Sequence, residues 1–256
     1  PSLQFVHRRS DDSDISFIAN PGEAQEFEAR FRVVGKAPEI WRADTAAIAP
    51  VSYRSEADGT VVSLRMGAWE SFFVVFRRPA TEPSLMVDAL APVPAATIDG
   101  PWDISFQTNR GAPEHAVFTT LASLAEHDDP GIRYFSGVAS YRTAFTLPEI
   151  AGKTGTMQLD LGAVGDLAEV YVNGQYAGTA WKPPYTVEVG PFVKPGVNEL
   201  EIRVANLWVN RLIGDRQPDA APVTYTTFKT YMPNAPLRPS GLIGPVVLRA
   251  ARTSVN

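Results

Sequence analysis

The sequence predicts an all-β protein built from two consecutive antiparallel domains. Apolar and polar residues alternate through short runs along the whole chain, which is the period of a strand with one buried face. The 22 prolines and 19 glycines are spread along the chain rather than clustered, as is typical of many short strands joined by tight turns. The stretch 157–206 is the clearest case, because it alternates strand patterns with an Asn-Gly turn, an aromatic loop and a Pro-Gly turn.

Residues 1–79 predict a small antiparallel β-sandwich. Pro21-Gly22 and Asp58-Gly59 are turn dipeptides that separate alternating runs. The mostly apolar run 71–76 predicts a strand that is buried on both faces. The alternating runs are 3–7, 14–20, 25–33 and 61–65.

Residues 80–97 predict a connector between the domains. The segment is rich in alanine and carries Pro83, Pro92 and Pro94, directly after Pro79. Proline fixes its backbone and lacks an N–H donor, so this composition stiffens and extends a linker.

Residues 98–256 predict the second β domain. Asn173-Gly174 is a strong hairpin signal, because both central positions of a type I′ turn need a positive φ. Pro195-Gly196 closes the next turn. The run 141–147 alternates and ends at Pro148, which cannot donate to a central sheet ladder. We expect a single helical turn in this domain, at 121–124.

Composition excludes several classes of function. The formal charge of −5 and pI near 5.3 argue against a nucleic-acid partner, which needs a basic face. The chain has no apolar run of about 18 residues, the length that predicts a membrane span. Its start also lacks the apolar core of a signal peptide. With no cysteine there is no disulfide or thiolate, and the compartment, cytoplasmic, periplasmic or secreted, stays open. The chain opens on a strand pattern without an initiator Met, which indicates a piece of a longer polypeptide or a processed form.

The second domain resembles the sugar-binding jelly-roll domain of family-two glycoside hydrolases, the β-galactosidase and β-glucuronidase type. The resemblance covers roughly 150 residues and implies a galactose-binding-like jelly roll in a carbohydrate context. The matching segments are YRTAF at 141–145, AEVYVNGQ at 168–175, the Tyr185-Thr186 pair, KPGVNEL at 194–200, RVAN at 203–206 and SGLIGPV at 240–246.

The whole chain resembles the C-terminal part of the large α-L-rhamnosidases. The segments that carry this resemblance are FVHRR at 5–9, DISFIAN at 14–20 and LWVNRLIGD at 207–215. In that family a catalytic (β/α)-barrel precedes these domains, and it contributes the acidic catalytic pair. A barrel needs about 250 residues of alternating strands and helices, which this chain does not offer beside two sandwiches. The resemblance therefore implies a fold and a carbohydrate context, with a catalytic domain as the missing N-terminal partner.

Two strips have the composition of a carbohydrate site, WKPPY at 181–185 and NLWVNR at 206–211. Sugars stack their apolar faces on aromatic rings, while planar polar side chains take the hydroxyls in paired hydrogen bonds. Tyr185 begins a strand and could fill the core, and for Trp208 we favour a core position. The candidate carbohydrate-binding residues are Trp181, Tyr185, Trp208, Asn210, Arg211 and Asp215.

If the chain hydrolyses glycosides by itself, its own carboxylates have to provide the catalytic pair. Glycoside hydrolysis needs two carboxyl groups about 5 to 9.5 Å apart, and Asp166, Glu169 and Asp215 are the candidates. For the pair Asp166 and Glu169 a catalytic role is the minor alternative, and Glu169 is better explained as a solvated or cross-strand partner. Asp215, the best functional candidate of the three, has an ion pair with Arg211 or Arg216 as its equally weighted alternative.

Metal chemistry is a minor prediction. His7, His115 and His127 lack a metal-ligand spacing, so no cofactor is expected. The acidic loop 126–131 is the one candidate for calcium, although it supplies only three of the six or more oxygens required. His7 and Arg8 could contact a neighbouring domain or a substrate. The alternative for Arg8 and Arg9 is pairing with Asp11, Asp12 or Asp14, which we expect for at least one of them.

These observations favour a non-catalytic carbohydrate-binding or accessory portion of a glycoside hydrolase that resembles α-L-rhamnosidases. One alternative is a self-sufficient small glycosidase that acts through its own carboxylates. The other is a structural spacer domain. The sugar and its anomeric form are not specified by the sequence.

Overall fold

A computed structural model describes residues 3–87, 93–147 and 157–250. Short antiparallel strands dominate these residues, so the predicted all-β sandwich architecture is confirmed. The chain divides into two compact units, Pro1–Ala89 and Leu90–Asn256, here called unit 1 and unit 2. No helix in the described part of the chain is both long enough and apolar enough to cross a membrane.

Unit 1 is a sandwich of two antiparallel sheets. A five-stranded sheet has the order β1-β2-β8-β4-β5, and a four-stranded sheet has the order β3-β7-β6-β9. The strands are β1 (Gln4–Arg9), β2 (Asp14–Ala19), β3 (Gln25–Phe31), β4 (Lys36–Arg42), β5 (Ala47–Pro50), β6 (Tyr53–Glu56), β7 (Gly59–Met66), β8 (Ser71–Pro79) and β9 (Ser84–Leu85).

The core of unit 1 follows from the alternation in its strands. β2 alternates buried and half-buried residues, and the mostly apolar β8 is central in its sheet, as the run 71–76 predicts. Val62, Met66, Val74 and Phe76 are completely buried between the sheets. Burial of such side chains stabilises a fold by about 1.5–3 kcal/mol each, so this cluster holds the two sheets together.

Unit 2 is a second sandwich. A six-stranded sheet has the order β12-β11-β13-β19-β16-β17, a four-stranded sheet has the order β10-β21-β14-β18, and β15 pairs with β20. The strands are β10 (Val93–Thr97), β11 (Trp102–Phe106), β12 (His115–Phe118), β13 (Val138–Leu147), β14 (Met157–Asp160), β15 (Ala163–Val164), β16 (Leu167–Val172), β17 (Gln175–Ala180), β18 (Thr186–Glu188), β19 (Gly196–Ala205), β20 (Leu242–Gly244) and β21 (Val247–Ala250).

The core of unit 2 draws on both of its large sheets. Tyr141 and Ile202 face inward from the six-stranded sheet, and Leu159 and Leu248 face inward from the four-stranded sheet. All four side chains are at most 1% exposed. The alternation that predicts strands in 157–206 therefore also identifies the residues that bury the core.

The segment 80–97 contains two of these strands. β9 pairs with β6 of unit 1, and β10 pairs with β21 of unit 2. The units divide between Ala89 and Leu90. Pro92, which belongs to this segment, lies outside the described residues. Pro148, which we expect to end the run 141–147, also lies outside them.

Three helical turns are described in unit 2. A 3₁₀ turn spans Leu124–Glu126, α1 spans Pro130–Arg133 and α2 spans Val209–Gly214. The helical turn expected at 121–124 therefore lies further along the chain. The sequence pattern predicts no helix at 209–214, because the buried residues of α2 include two polar side chains, Asn210 and Arg211, that mask a helical apolar face.

The Asn173-Gly174 turn joins β16 to β17 as predicted. Asn173 has a φ of 52° and Gly174 a φ of 76°, as a type I′ turn requires. The Asn173 side chain also donates from Nδ2 to Phe192 O and to Asn198 Oδ1, both at 2.9 Å. This residue therefore fixes the turn and also ties it to a neighbouring loop.

Replacing Gly174 by alanine tests the turn. No atom lies within 4 Å of the position that a Cβ would take, so the cost comes from backbone conformation alone. We expect the free energy of unfolding to fall by about 1–2 kcal/mol, as measured by urea denaturation. Gly174→Asn is the control and should cost less, because asparagine tolerates positive φ. Equal losses in both variants would contradict this explanation.

Candidate functional site

Several loops of unit 2 meet where β16 begins. Leu207 N donates to Asp166 Oδ2 at 3.0 Å, and Gly165 N donates to Gly241 O at 2.8 Å. Gly241 N in turn donates to Asn206 Oδ1 at 2.6 Å. The loops that precede β16, follow β19 and precede β20 are thereby held together at one end of the sandwich.

Asp166 lies at this end of unit 2, in contact with Leu207. Its φ is 127°, a conformation that costs about 1–3 kcal/mol for a residue other than glycine and is often found at functional sites. Partial burial raises the pKa of its carboxyl, against the lowering effects of the Leu207 N–H and the charge of Arg238. The residue as a whole is nevertheless exposed, so the carboxyl is covered on one side and accessible on the other.

The aromatic strip 181–185 adjoins the same end of the sandwich, because Ala168 of β16 pairs with Ala180 of β17. Trp181 is 56% exposed, and the Lys182 ammonium lies 5.7 Å from the centre of its ring. Tyr185 is half-buried against the core of unit 2. Burial, and secondarily the charge of Asp166, raise the pKa of Tyr185. Of the two aromatic residues, Trp181 is the more exposed.

Trp208 does not occupy the core position that we favoured. It precedes α2 rather than lying in a strand, and it is 49% exposed. The guanidinium of Arg110 lies 4.9 Å from the centre of its ring, a distance at which cation–π attraction operates. The core interpretation fails because the residue sits at the start of a helix that the sequence pattern does not reveal.

Asn210 is buried and structural. Its Nδ2 donates to Arg238 O at 2.7 Å, and Arg238 N donates to its Oδ1 at 2.9 Å. Nδ2 also lies 3.3 Å from Ser240 Oγ. These bonds hold the segment 238–240 against α2, so the amide is occupied by the protein itself.

Arg211 and Asp215 form the ion pair that we gave as the alternative to a functional role for Asp215. Arg211 Nε lies 2.9 Å from Asp215 Oδ1, and the two side chains are 7% and 6% exposed. Asp215 also accepts from Val223 N, Thr224 N and Thr224 Oγ1, at 3.1, 2.8 and 2.5 Å. Burial acts to raise the pKa of Asp215, but these bonds and Arg211 together hold it below its usual value.

Glu169 belongs to a separate network on the outer face of the six-stranded sheet. Tyr171 Oη donates to Glu169 Oε2 at 3.2 Å, and Glu169 pairs across the strands with Arg203. The Arg203 guanidinium lies 4.2 Å from the centre of the Tyr171 ring. The cross-strand alternative for Glu169 matches this arrangement. The three candidate carboxylates, Asp166, Glu169 and Asp215, thus contact different partners.

Three basic side chains of unit 1 surround Asp14, and His7 is the one of them for which we predict a contact with a neighbouring domain or a substrate. His7 Nε2 lies 3.3 Å and Arg9 Nε 3.8 Å from Asp14 Oδ1, and Lys36 Nζ lies 3.5 Å from Oδ2. The expected pairing of Arg8 or Arg9 is therefore confirmed for Arg9. Within the described ranges Arg8 makes no ion pair, and its contact with a neighbouring domain or substrate stays a prediction.

The acidic loop 126–131 holds a short helix. Asp129 Oδ1 accepts from Gly131 N at 2.7 Å as the N-cap of α1, and Arg133 Nε donates to His127 O at 2.7 Å. In the part of the chain that the structure describes, no three His, Asp or Glu side chains converge on a possible metal position.

Sequence reasoning missed the surroundings of Arg211. A pocket beside α2 is lined by Arg211 and by residues that carry no motif on their own. The glycines among them could have been a signal, because glycine in a loop often marks a close backbone approach. The lining also includes Gly111, Gly131, Arg133, Tyr134, Gly214 and Asp219.

The described part of the chain is all-β, and the chain is similar to proteins named as glycoside hydrolases. Residues 1–55 match the family model described as alpha-L-rhamnosidase. The solved rhamnosidase from Novosphingobium sp. PP1Y is 47% identical, with a TM-score of 0.93 over 96% of this chain. A Formosa agariphila protein named "Putative beta-glucuronidase" is 42% identical over 119 residues, 46% of this chain.

The chain is rhamnosidase-like, and the predicted resemblance to that family is confirmed. It spans 24% of the solved rhamnosidase and 10% of the Formosa protein. The galactose-binding-like jelly-roll type of unit 2 stays a prediction.

Proposed function

We propose that this chain is a non-catalytic carbohydrate-binding and accessory portion of a rhamnosidase-like glycoside hydrolase. Its partner is then a catalytic domain with its own pair of carboxylates. The supporting observation is the distribution of the candidate acids. Asp215 is occupied by Arg211 and by three hydrogen bonds, while Glu169 takes part in a surface network. General acid and nucleophile roles need two carboxyl groups that face one glycosidic bond.

Carbohydrate contact is assigned to the end of unit 2 that carries Trp181 and Asp166. Trp181 offers an exposed ring for stacking on a pyranose face. Asp166 lies nearby with one carboxyl oxygen bound to Leu207 N, which leaves acceptor capacity for a sugar hydroxyl. Half-buried Tyr185 supports this loop, since its carbonyl accepts from Leu161 N at 2.9 Å.

Replacing Trp181 by alanine tests this assignment. We expect weak binding of a neutral saccharide such as methyl α-L-rhamnoside to drop about tenfold or more, because stacking on an aromatic ring contributes about 1–3 kcal/mol. Calorimetric titration of the 256-residue chain measures the loss. Trp69→Ala is the control, since Trp69 is 65% exposed in unit 1, and it should bind like the unchanged chain. Equal weakening in both variants would count against the Trp181 site.

The same preparation is assayed against nitrophenyl glycosides to separate the alternatives. The accessory function predicts saccharide binding without turnover. Turnover that disappears in Glu169→Gln or Asp166→Asn would instead establish a self-sufficient glycosidase. Neither binding nor turnover would leave the structural spacer as the function.

A further inference from the structure

A pocket of about 590 Å³ lies beside α2 in unit 2. Arg211 lines it from the helix, Arg133 and Tyr134 line it from the region of α1, and the exposed Asp219 also belongs to its lining. The pocket holds a charged side chain that is almost fully buried, since the side chain of Arg211 is 7% exposed. A buried cation needs aligned acceptors to offset its desolvation, so the partners of this guanidinium indicate what the pocket can bind.

The guanidinium of Arg211 has fewer hydrogen bonds than its burial calls for. Nε lies 2.9 Å from Asp215 Oδ1, but the N–H is not aligned on that oxygen, and Nε has no hydrogen-bond partner within the described residues. Asp215 is meanwhile occupied by Val223 and Thr224. Asp215 thus balances the positive charge of Arg211, but it accepts no hydrogen bond from the Arg211 Nε–H group.

Glycines leave the space around the two terminal nitrogens of Arg211. A Cβ on Gly111 would lie 2.8 Å from Nη1, and a Cβ on Gly214 would lie 2.7 Å from Nη2. Gly111 has a φ of +85°, which disfavours any other residue there. The aromatic ring of Tyr134 lies 6.0 Å from the guanidinium carbon. The backbone at these two glycines therefore packs close to both terminal nitrogens, and Arg211, Gly111 and Gly214 all line the pocket.

The charges around the pocket favour an anionic ligand. Arg133 adds a second cation to the wall, and its nearest acid, Asp128, lies 4.0 Å away and is fully exposed. Asp219 is exposed and thus strongly hydrated. A carboxylate can accept two parallel N–H bonds from one guanidinium, and such charge-assisted pairs are stronger than bonds to a neutral hydroxyl.

We propose that the Arg211 pocket binds the carboxylate of an acidic sugar, a uronate. This inference rests on the proposed carbohydrate-binding function and specifies the ligand class of a second subsite in unit 2. The carboxylate accepts from the terminal nitrogens of Arg211, and the sugar ring lies against the pocket wall near Tyr134. Neutral saccharides bind at the Trp181 site instead.

The test compares two ligands that differ at one carbon, methyl β-D-glucuronide and methyl β-D-glucoside. Each is titrated into the full chain by calorimetry, with the Nε–Hε resonance of Arg211 followed by NMR. We expect the glucuronide to bind at least tenfold more tightly and to shift that resonance. Arg211→Lys keeps the charge but loses the planar fork, so the preference should fall to less than twofold. Arg216→Gln, which removes a nearby arginine outside the pocket lining, should keep it.

Equal affinity for the two ligands, or an unmoved Arg211 resonance at saturating glucuronide, would overturn the uronate subsite. Neither result touches the Trp181 site, whose neutral-saccharide titration is scored separately. If Arg211→Lys does not fold, the resonance shift in the unchanged chain still decides the matter. A glucuronide preference that survives in folded Arg211→Lys would place the anion elsewhere and refute the proposal.

Discussion

Replacing Asp215 by asparagine is expected to destabilise unit 2 by about 3 kcal/mol at pH 7. The change removes the counter-charge of Arg211, and removing one partner of a buried ion pair typically costs about 3–5 kcal/mol. The asparagine amide can still accept one or two of the bonds from Val223 and Thr224, which places the loss at the lower end. Hydrogen exchange of the β13 and β19 amides in increasing urea measures it specifically for unit 2.

The same ion pair predicts an acid-dependent loss of stability. The folded-state pKa of Asp215 is lowered, so its contribution is fully present above the unfolded pKa of about 3.9 and is lost as the pH falls through the folded value. The unchanged chain should therefore lose this stability below about pH 4. Asp215→Asn should lack that part of the dependence, because it has no carboxyl to protonate.

Asp219→Asn is the matched control for Asp215→Asn. Asp219 is an exposed acid four residues further on, with a φ of 63° that asparagine tolerates. We expect its unfolding free energy to change by less than about 0.5 kcal/mol. A loss in Asp219→Asn as large as that in Asp215→Asn would attribute the effect to net charge and contradict the ion-pair explanation.

Much of the fold could be predicted because strands and turns are local signals. The alternation in β16 and β19 and the Asn-Gly turn between β16 and β17 all appear where the residues indicate them. The helix α2 could not be predicted in the same way. It is only six residues long, and its buried face includes the polar residues Asn210 and Arg211. Their burial is explained only by their contacts in the folded protein, with Arg238 and Ser240 for Asn210 and with Asp215 for Arg211.

The candidate site was predictable in composition but not in geometry. Trp181 is exposed as a stacking residue should be, and its loop is stiffened by adjacent prolines. Asn210 is bonded to the segment 238–240, and Asp215 is bonded to the segment 223–224. These contacts decide that both side chains face the protein, and both segments lie at least eight positions further along the chain. No local pattern contains that information. The pocket beside Arg211 likewise depends on Gly111, which lies 100 positions before the arginine.

Asn198 gives the second large expected effect, because it is completely buried near the start of β19. Its Oδ1 accepts from Lys194 N at 2.8 Å and from Asn173 Nδ2 at 2.9 Å. Its Nδ2 donates to Lys194 O at 2.7 Å and to Gly196 O at 3.0 Å. One amide therefore closes its own turn and links that turn to the Asn173-Gly174 hairpin.

Asn198→Ala is expected to lower the free energy of unfolding of unit 2 by about 3 kcal/mol, since buried polar groups left without partners cost about 1–3 kcal/mol each. Urea denaturation followed by exchange of the β16 and β19 amides measures the loss. Val197→Ala, at a 60% exposed neighbour in the same strand, should cost less than about 0.5 kcal/mol. Because Asn173 loses a partner in Asn198→Ala, combining it with Asn173→Ala should cost less than the sum of the two single changes. Strictly additive losses would show that the two turns are stabilised independently and that the amide link between them contributes nothing.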